Sequence, residues 1–320
     1  MTVVDKIQAK VFKRTLGNSN IPVSEIGLAC DLIGREFGVE ENIRAFSVLA
    51  AADTHGINFW DTADVYGNGL SESRLGAWQK QNEGTRLVAT KAGRAKELFP
   101  DRHQYDRMRR SVEGSLERLQ VDSIDVLHLH RLPEHILQSE QVWAWLDDFK
   151  RQGLIKHFGA SVDTVSEALC CIDRPGLTSI ETVINFFHRD PLDALVNKAA
   201  ENHVAIIARE PFAHGLFNGM SVSSTPEQKK AFSYLERSRL QQRSMLQKIN
   251  ELVPATMTIE QMAIRWLLDH QEVTSVLTGA ITVDQIKTYA KASRMPALPD
   301  ELHQKLHEFY DTYILPFNHH

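Results

Sequence analysis

The sequence predicts an α/β fold in which eight parallel strands close into a (β/α)8 TIM barrel with an N-terminal β-hairpin and extra C-terminal helices. Eight short apolar segments alternate with helix-length amphipathic segments, a pattern typical of a parallel sheet. Eight is also the number of strand–helix pairs that closes such a barrel, which needs roughly 250 residues. The chain has 320 residues, so the surplus must lie outside the repeated units.

Each apolar segment is assigned to one strand of the barrel. In chain order these segments are SEIGLA (24–29), GINFWD (56–61), RLVATK (86–91), IDVLHLH (124–130), LIKHFGAS (154–161), SIETVINF (179–186), HVAIIAR (203–209) and TSVLTG (274–279). The helical candidates lie near 40–55, 71–81, 104–120, 136–152, 163–173, 189–202, 239–270 (more than one helix) and 282–291. Helical spacing of apolar residues supports these assignments, as for Met108, Val112 and Leu116.

Three regions account for the surplus residues. The segment 11–27 reads as a hairpin with a Gly-Asn-Ser-Asn turn, 214–238 as a polar loop rich in serine, and 297–320 as a terminal tail. No linker divides the chain, so we expect a single domain over 1–320. An open doubly wound sheet is the alternative, but the glycines after the first strand lack the G-x-G-x-x-G spacing of that fold.

Composition and charge exclude several classes of protein. A net charge of −5 argues against a nucleic-acid partner, which requires a basic face. No apolar run approaches the ~18 residues that a membrane span requires, and the first residues do not resemble a secretion signal. Three cysteines, Cys30, Cys170 and Cys171, form no disulfide framework. We therefore expect a cytoplasmic protein with no membrane partner; the oligomeric state is left open.

Three neighbouring strands end in groups that can act together as acids and bases. Asp61, Lys91 and His130 end the second, third and fourth strands, and Tyr66 follows in the loop 61–69. In a barrel of this class the chemistry takes place at the carboxyl ends of the strands. Alternation along each strand gives three sets that can face the interior: Ile57, Phe59 and Asp61; Leu87, Ala89 and Lys91; Val126, His128 and His130. His128 is expected one layer below His130, in a packing role.

These four residue types suit the reduction of a carbonyl group. A phenol is a weak acid, and a nearby ammonium group lowers its pKa. A carboxylate can hold that ammonium group, and an imidazole can position the substrate oxygen. Because no side chain supplies a hydride, the chemistry implies a nicotinamide cofactor. An alternative uses Lys91 as a Schiff-base nucleophile, which requires a neutral amine that Asp61 would disfavour.

The sequence resembles the aldo-keto reductase superfamily over most of its length. The strongest match is GINFWDTADVYGNGLSESRLG, followed by RLVATKAGR, SIDVLHLHRLP, RQGLIKHFGAS and HVAIIAREPFAHG. The resemblance implies a (β/α)8 barrel that binds NAD(P)H at its mouth. It also implies a catalytic tetrad of Asp61, Tyr66, Lys91 and His130, and reversible reduction of aldehydes or ketones with Tyr66 as general acid/base.

The resemblance further implies a set of cofactor-binding residues: Ser161, Glu181, Arg209, Gly279, Thr282 and Gln285. Several positions depart from the family pattern. Glu181 stands where a carboxamide-binding Gln is common, and Glu210 lies where a carboxylate would repel the pyrophosphate unless it is paired or points away. Ile281 stands where a basic residue often holds a 2′-phosphate. NADP(H), the family default, is therefore favoured only slightly over NAD(H).

The remaining features leave the substrate open. Five residues near strand ends could form an aromatic-lined pocket: Trp60, Phe187, His188, Phe212 and Phe217. Trp60 has the opposite parity to Asp61 and is expected to pack under a helix instead. His128, His130 and His135 lack a matching second group, so no metal site is predicted. A small carbonyl compound or alcohol is the expected substrate, and a non-catalytic nicotinamide-binding regulatory subunit is the alternative function.

Overall fold

Parallel strands form a closed barrel, and a short antiparallel hairpin precedes them. The computed structural model describes residues 10–35, 38–219 and 232–317. The strands in these ranges are β1 (Lys13–Thr15), β2 (Pro22–Ser24), β3 (Ile26–Ala29), β4 (Phe59–Asp61), β5 (Leu87–Ala92), β6 (Ile124–His130), β7 (Ile155–Ser161), β8 (Leu177–Val183), β9 (Ala205–Arg209) and β10 (Val273–Gly279). The barrel closes in the order β10-β3-β4-β5-β6-β7-β8-β9. This confirms the predicted (β/α)8 fold and its N-terminal hairpin.

Helices surround the barrel and follow its strands. They are α1 (Val39–His55), α2 (Leu70–Gln81), α3 (Tyr105–Leu119), α4 (Glu134–Leu137), α5 (Glu140–Arg151), α6 (Val165–Ile172), α7 (Asp190–Glu201), α8 (Ser233–Glu236), α9 (Arg239–Asn250), α10 (Ile259–Asp269), α11 (Val283–Ser293) and α12 (Asp300–Tyr313). The segment 239–270 thus contains two helices, as predicted, and most of the C-terminal tail is helical. None of the helices described is long and apolar enough to cross a membrane.

The barrel interior is filled by the side chains that strand alternation predicts. Phe59, Ala89 and Val126 belong to one buried cluster inside the barrel, together with Leu16 and Val23 from the hairpin region. The prediction was wrong for Ile57, which packs in the larger cluster between strands and helices. The reason is that β4 begins only at Phe59, so strand alternation does not extend back to Ile57.

The hairpin covers the end of the barrel opposite the predicted site. Strands β1 and β2 pair antiparallel, with Lys13 opposite Ser24. From β1, the Arg14 guanidinium donates hydrogen bonds to the carbonyls of Leu268 (2.6 Å), His270 (3.0 Å) and Val273 (2.6 Å). These bonds satisfy carbonyl groups at the end of α10 and the start of β10, and so attach the hairpin to the barrel.

Candidate active site

The predicted acid–base residues meet at the carboxyl ends of β4, β5 and β6. Asp61 ends β4, Lys91 is the penultimate residue of β5 and His130 ends β6. Their side chains are buried, and Tyr66 lies partly exposed in the loop after β4. The structure brings all four together as the strand-end reasoning predicts.

Lys91 is the electrostatic centre of this cluster. Its ammonium group is hydrogen-bonded to the Asp61 carboxylate and to the carbonyl oxygen of Thr62 (3.1 Å), and lies 3.4 Å from Glu181 Oε2. Burial alone would lower the pKa of Lys91, but the two carboxylates outweigh burial and raise the pKa above its ordinary value. The amine therefore stays charged, which disfavours the Schiff-base alternative.

The two carboxylates beside Lys91 differ in their affinity for protons. Burial and the charge of Glu181 raise the pKa of Asp61 despite the opposing effect of Lys91. Burial also favours the neutral form of Glu181, but the cations Lys91 and Arg209 outweigh it and leave the pKa of Glu181 below its usual range. Because the two carboxylates are tightly coupled, they take up protons as a pair rather than as independent groups.

Tyr66 lies above the ammonium group and beside His130. Lys91 Nζ is 5.2 Å from the centre of the Tyr66 ring. The Tyr66 and His130 rings meet edge to face, with centroids 6.0 Å apart and planes at 87°. Burial raises the pKa of Tyr66 and Lys91 opposes this by less, so the predicted net lowering of the phenol pKa by the ammonium group is wrong. Burial and Lys91 hold the pKa of His130 well below its ordinary value, so the imidazole is neutral.

Register across β6, β7 and β8 aligns a second row of polar side chains with the first. His130 is the Cα partner of Ser161, and Ser161 is the partner of Glu181. Ser161 Oγ donates to Glu181 Oε1 at 3.0 Å, and Arg209 Nε lies 3.7 Å from the same oxygen. Three of the predicted cofactor residues therefore form one connected group beside the tetrad.

A cavity of about 360 Å³ opens above these residues. The predicted residues that line it are Asp61, Tyr66, His130, Ser161, Glu181, Arg209 and Gly279. Thr282 and Gln285 do not line it. Thr282 is the N-cap of α11, where its hydroxyl accepts a hydrogen bond from the Gln285 main chain, and the Gln285 side chain accepts from the main-chain nitrogens of Ile281 and Thr282.

Sequence reasoning missed an ion-pair bridge at the cavity mouth. Asp163, in the loop after β7, pairs with Arg131 from the loop after β6 and with Arg209 from the end of β9. Both arginines line the cavity. Arg131 and Asp163 lie within two residues of a strand end, and that position was the signal that could have identified them.

Glu210 lines the same cavity, where its carboxylate is predicted to repel the pyrophosphate unless it is paired or points away. Burial raises its pKa, while Arg209, Arg131 and Arg35 oppose that effect. Three cations near Glu210 reduce the repulsion that an isolated carboxylate would exert on an anion.

The predicted aromatic pocket is largely wrong. Phe212 lines the cavity, but Phe187, His188 and Phe217 are packed away from it among other aromatic side chains. Trp60 is fully buried outside the barrel interior, as its parity predicts, and donates from its indole nitrogen to the Ile57 carbonyl at 2.9 Å. Lying near a strand end did not specify which way these rings point.

One cluster has ligand atoms spaced as in a metal site. Suitable atoms of Asp61, His128 and Glu181 all lie within 4.8 Å of one another. Lys91 already contacts both carboxylates, and His128 Nε2 is 2.7 Å from Ser179 Oγ. The ammonium group thus supplies the positive charge that a cation would otherwise bring, and we describe the cluster as an ion-pair network. His128 has the buried, hydrogen-bonded position expected of it.

The fold defines a (β/α)8-barrel protein, and comparison with known proteins gives its family. The sequence profile described as "Aldo/keto reductase family" matches residues 35–311. The chain belongs to this family and is an NAD(P)H-dependent oxidoreductase.

Individual relatives agree with this assignment over nearly the whole chain. The uncharacterized oxidoreductase YqkF of Bacillus subtilis (strain 168) is 28% identical over 90% of this chain and 93% of its own length. L-galactose dehydrogenase of Arabidopsis thaliana is 29% identical over 87% of this chain and 86% of its own. The holo structure of an aldo-keto reductase from Bacillus halodurans superposes with a TM-score of 0.75 at 26% identity, covering 93% of this chain and 96% of that one.

Proposed function

We propose that the protein reversibly reduces aldehyde or ketone carbonyls to alcohols, with Tyr66 as the general acid and base. The observation that carries the proposal is the arrangement of Tyr66 and His130 around one cavity, above an ammonium group held by two carboxylates. That arrangement provides a proton donor, a positioning group and a fixed positive charge at one point.

The chemistry of each residue follows from its surroundings. Tyr66 is protonated at neutral pH, since burial raises the pKa of a group that is already a weak acid, and it can donate its proton to the developing alkoxide oxygen because an alkoxide is a stronger base than a phenolate. Lys91, charged and close to the ring, stabilises the phenolate that is left, and Asp61 holds Lys91 in place. Neutral His130 positions the carbonyl oxygen by hydrogen bonding. In the alcohol-oxidising direction the same phenolate accepts the proton.

The residues beside the tetrad fit a nicotinamide cofactor, which when bound supplies or accepts the hydride. Three buried polar atoms of Glu181, Arg209 and His130 have no hydrogen-bond partner among the described residues and lie on residues that line the cavity. A carboxamide brings both donors and acceptors, so it can pair with such atoms. The residues we propose to bind the cofactor are Ser161, Glu181, Arg209, Gly279, Thr282 and Gln285.

Replacing the Tyr66 hydroxyl tests the proposed role most directly. We expect Tyr66→Phe to abolish turnover, because the ring stays in place while the proton donor is lost, and to leave NADPH binding largely intact. Steady-state kinetics with a panel of aldehydes and a fluorescence titration with NADPH measure the two effects. Near-wild-type turnover in the variant would contradict the role assigned to Tyr66.

Cofactor preference is a separate prediction. We expect NADPH to bind more tightly than NADH because NADP(H) is the family default, but only slightly, because Ile281 offers no charge for a 2′-phosphate. Parallel fluorescence titrations of the wild-type protein measure both dissociation constants. A strong preference for NADH would contradict the NADP(H) assignment.

The same measurements address the alternative function. A chain that binds either dinucleotide but turns over no member of a broad panel of aldehydes and alcohols would be a nicotinamide-binding regulatory subunit. The enzyme is favoured because the four proposed catalytic residues are all present and adjacent.

We place the protein in the cytoplasm, with a small carbonyl compound or alcohol as its partner. Cys30, Cys170 and Cys171 are free thiols, which suits a reducing compartment. The cavity is lined by charged and polar side chains as well as apolar ones, which suits a small polar substrate.

A further inference from the structure

A second cavity lies beside the barrel, apart from the one that holds the tetrad. Its volume is about 530 Å³, and it is bounded by α3, by the loop between β5 and α3, and by Asp64 from the loop that also carries Tyr66. Among the described residues it shares no lining residue with the active-site cavity. Its size is within the range of small-molecule sites.

The side chains around this cavity are predominantly cationic. Arg102, Arg107, Arg110 and Arg118 line it, against the carboxylates of Asp64 and Glu97. Four cations against two anions make the lining positive in a chain whose net charge is −5. A local concentration of guanidinium groups is the usual means by which proteins recognise phosphate.

Three of these arginines have no carboxylate partner among the residues that the structure describes. Arg118 pairs with Glu72 at 2.7 Å. Arg107 donates instead to main-chain carbonyls, at 3.2 Å to Glu97 and 3.5 Å to Arg102. Arg110 projects from α3 with no hydrogen bond or ion pair inside the described ranges. Their charges are therefore available to an anion.

Asp64 adds a second, independent feature at the wall of the cavity. The residue is only 9% exposed, and its Oδ2 accepts a hydrogen bond from Ser111 Oγ at 2.7 Å. Its Oδ1 is buried and has no hydrogen-bond partner in the part of the chain described. A buried carboxylate oxygen without a donor is costly, so this atom calls for a ligand that brings a hydroxyl or similar donor.

We propose that this cavity is a binding site for the phosphate monoester of a small polyol. The phosphate group is bound by Arg107 and Arg110, and a hydroxyl group of the same molecule donates to Asp64 Oδ1. An anion without a donor satisfies only the arginines, and a neutral polyol satisfies only Asp64, so the combination selects a molecule that carries both groups.

Calorimetric titration with glycerol 3-phosphate, in the absence of nicotinamide cofactor, tests the proposal. We expect saturable binding to the wild-type protein that is tighter than binding of inorganic phosphate and weaker at high salt. Arg110→Gln and Arg107→Gln should each raise the dissociation constant about tenfold, the usual effect of losing one charge-assisted hydrogen bond. Arg110 is exposed, so its replacement should not impair folding, which circular dichroism checks.

Arg109→Gln is the matched control. Arg109 lies on the same helix and loses the same charge, but it pairs with Glu113 at 2.8 Å and does not line the cavity. We expect it to bind glycerol 3-phosphate as the wild type does. Absence of saturable wild-type binding, or equal dissociation constants in Arg110→Gln and Arg109→Gln, would overturn the site. Equally tight binding of inorganic phosphate would overturn the role of Asp64.

Discussion

The ammonium group of Lys91 neutralises two carboxylates that are almost fully buried at the base of the cavity. The side chains of Lys91, Asp61 and Glu181 are 1%, 3% and 1% exposed, respectively. Removing one partner of a buried ion pair costs about 3–5 kcal/mol, because the remaining charge is left without solvent or counter-ion. At this site two charges of the same sign would be left together.

Lys91→Met therefore should lower the free energy of unfolding at pH 7 by at least about 3–5 kcal/mol. Without the cation, the already raised pKa of Asp61 rises further and the pKa of Glu181 rises above its unfolded value, so the folded state binds more protons than the unfolded state. Its stability is then lost as pH rises, and the variant should be more stable at pH 5 than at pH 7. Urea unfolding at both pH values measures this.

Lys156→Met is the control for that experiment. Lys156 pairs with Asp125 at 2.7 Å, but its side chain is 55% exposed. Surface pairs of this kind contribute about 0–1 kcal/mol, so the same substitution there should cost little. A Lys91→Met variant no less stable than Lys156→Met would show that Lys91 does not neutralise the carboxylates.

Among the elements, the N-terminal hairpin depends on a close approach of main chains. Gly17 has φ of 48°, and a Cβ atom there would lie 2.2 Å from the Thr178 carbonyl oxygen. Gly153, in the turn before β7, also has positive φ (76°), but a Cβ there would have no heavy atom within 4 Å. The two glycines share a left-handed conformation and differ in the space around them.

This contrast separates conformational strain from steric overlap. Gly153→Ala should lower the free energy of unfolding by about 1–2 kcal/mol, the cost of a left-handed L-residue. Gly17→Ala should cost about 1–3 kcal/mol more, because the methyl group forces the hairpin away from β8. Thermal and urea unfolding measure the loss of free energy of unfolding in the two variants. Equal losses would mean that the hairpin moves to accommodate the methyl group at no cost in free energy.

For the molecule as a whole, buried titratable groups couple stability to pH with opposite signs. Burial lowers the pKa of His128 and His188 to about 4, and that of His214 to about 3. Burial raises the pKa of Asp31 and Asp64 to about 6. As pH falls, the histidines stabilise the fold less and the aspartates stabilise it more. The contribution of one residue is therefore measured as the difference in free energy of unfolding between the wild type and a variant that lacks that residue.

His214→Phe isolates one of these contributions. The unfolded pKa of histidine is about 6.5, so below that value the unfolded state binds a proton that folded His214 does not. The stability of the wild type relative to the variant should be constant above pH ~6.5 and fall by up to about 1.4 kcal/mol per pH unit between pH ~6.5 and the folded pKa of about 3. Unfolding curves at closely spaced pH values test this; a constant difference would contradict the neutral, buried state of His214.

How much could be predicted from the sequence depended on how local the determining interactions are. The barrel and the meeting of Asp61, Lys91 and His130 follow from alternation within strands and from the common direction of parallel strands. The single-domain organisation over 1–320 stays a prediction. The central part of the loop 214–238, residues 220–231, lies outside the described residues.

What could not be predicted depends on side-chain direction and on contacts between distant segments. The Arg131–Asp163–Arg209 bridge joins two loops and the end of β9, and only the closed barrel brings these three segments together. The rings of Phe187 and Phe217 lie near strand ends but turn inward, because they find aromatic partners there. Thr282 caps α11, and its contact with the cofactor stays a prediction.

The end of the barrel that the hairpin covers is closed, which limits how small molecules can reach the candidate active site. Leu16 and Val23, both fully buried, fill the end that the hairpin covers. In the part of the chain that the structure describes, the cavity beside Tyr66 lies at the opposite rim, so under the proposed function the cofactor and the substrate both enter there. We expect the molecule that lies deeper in this cavity to bind first and leave last, so that the shape of the cavity sets the order of binding.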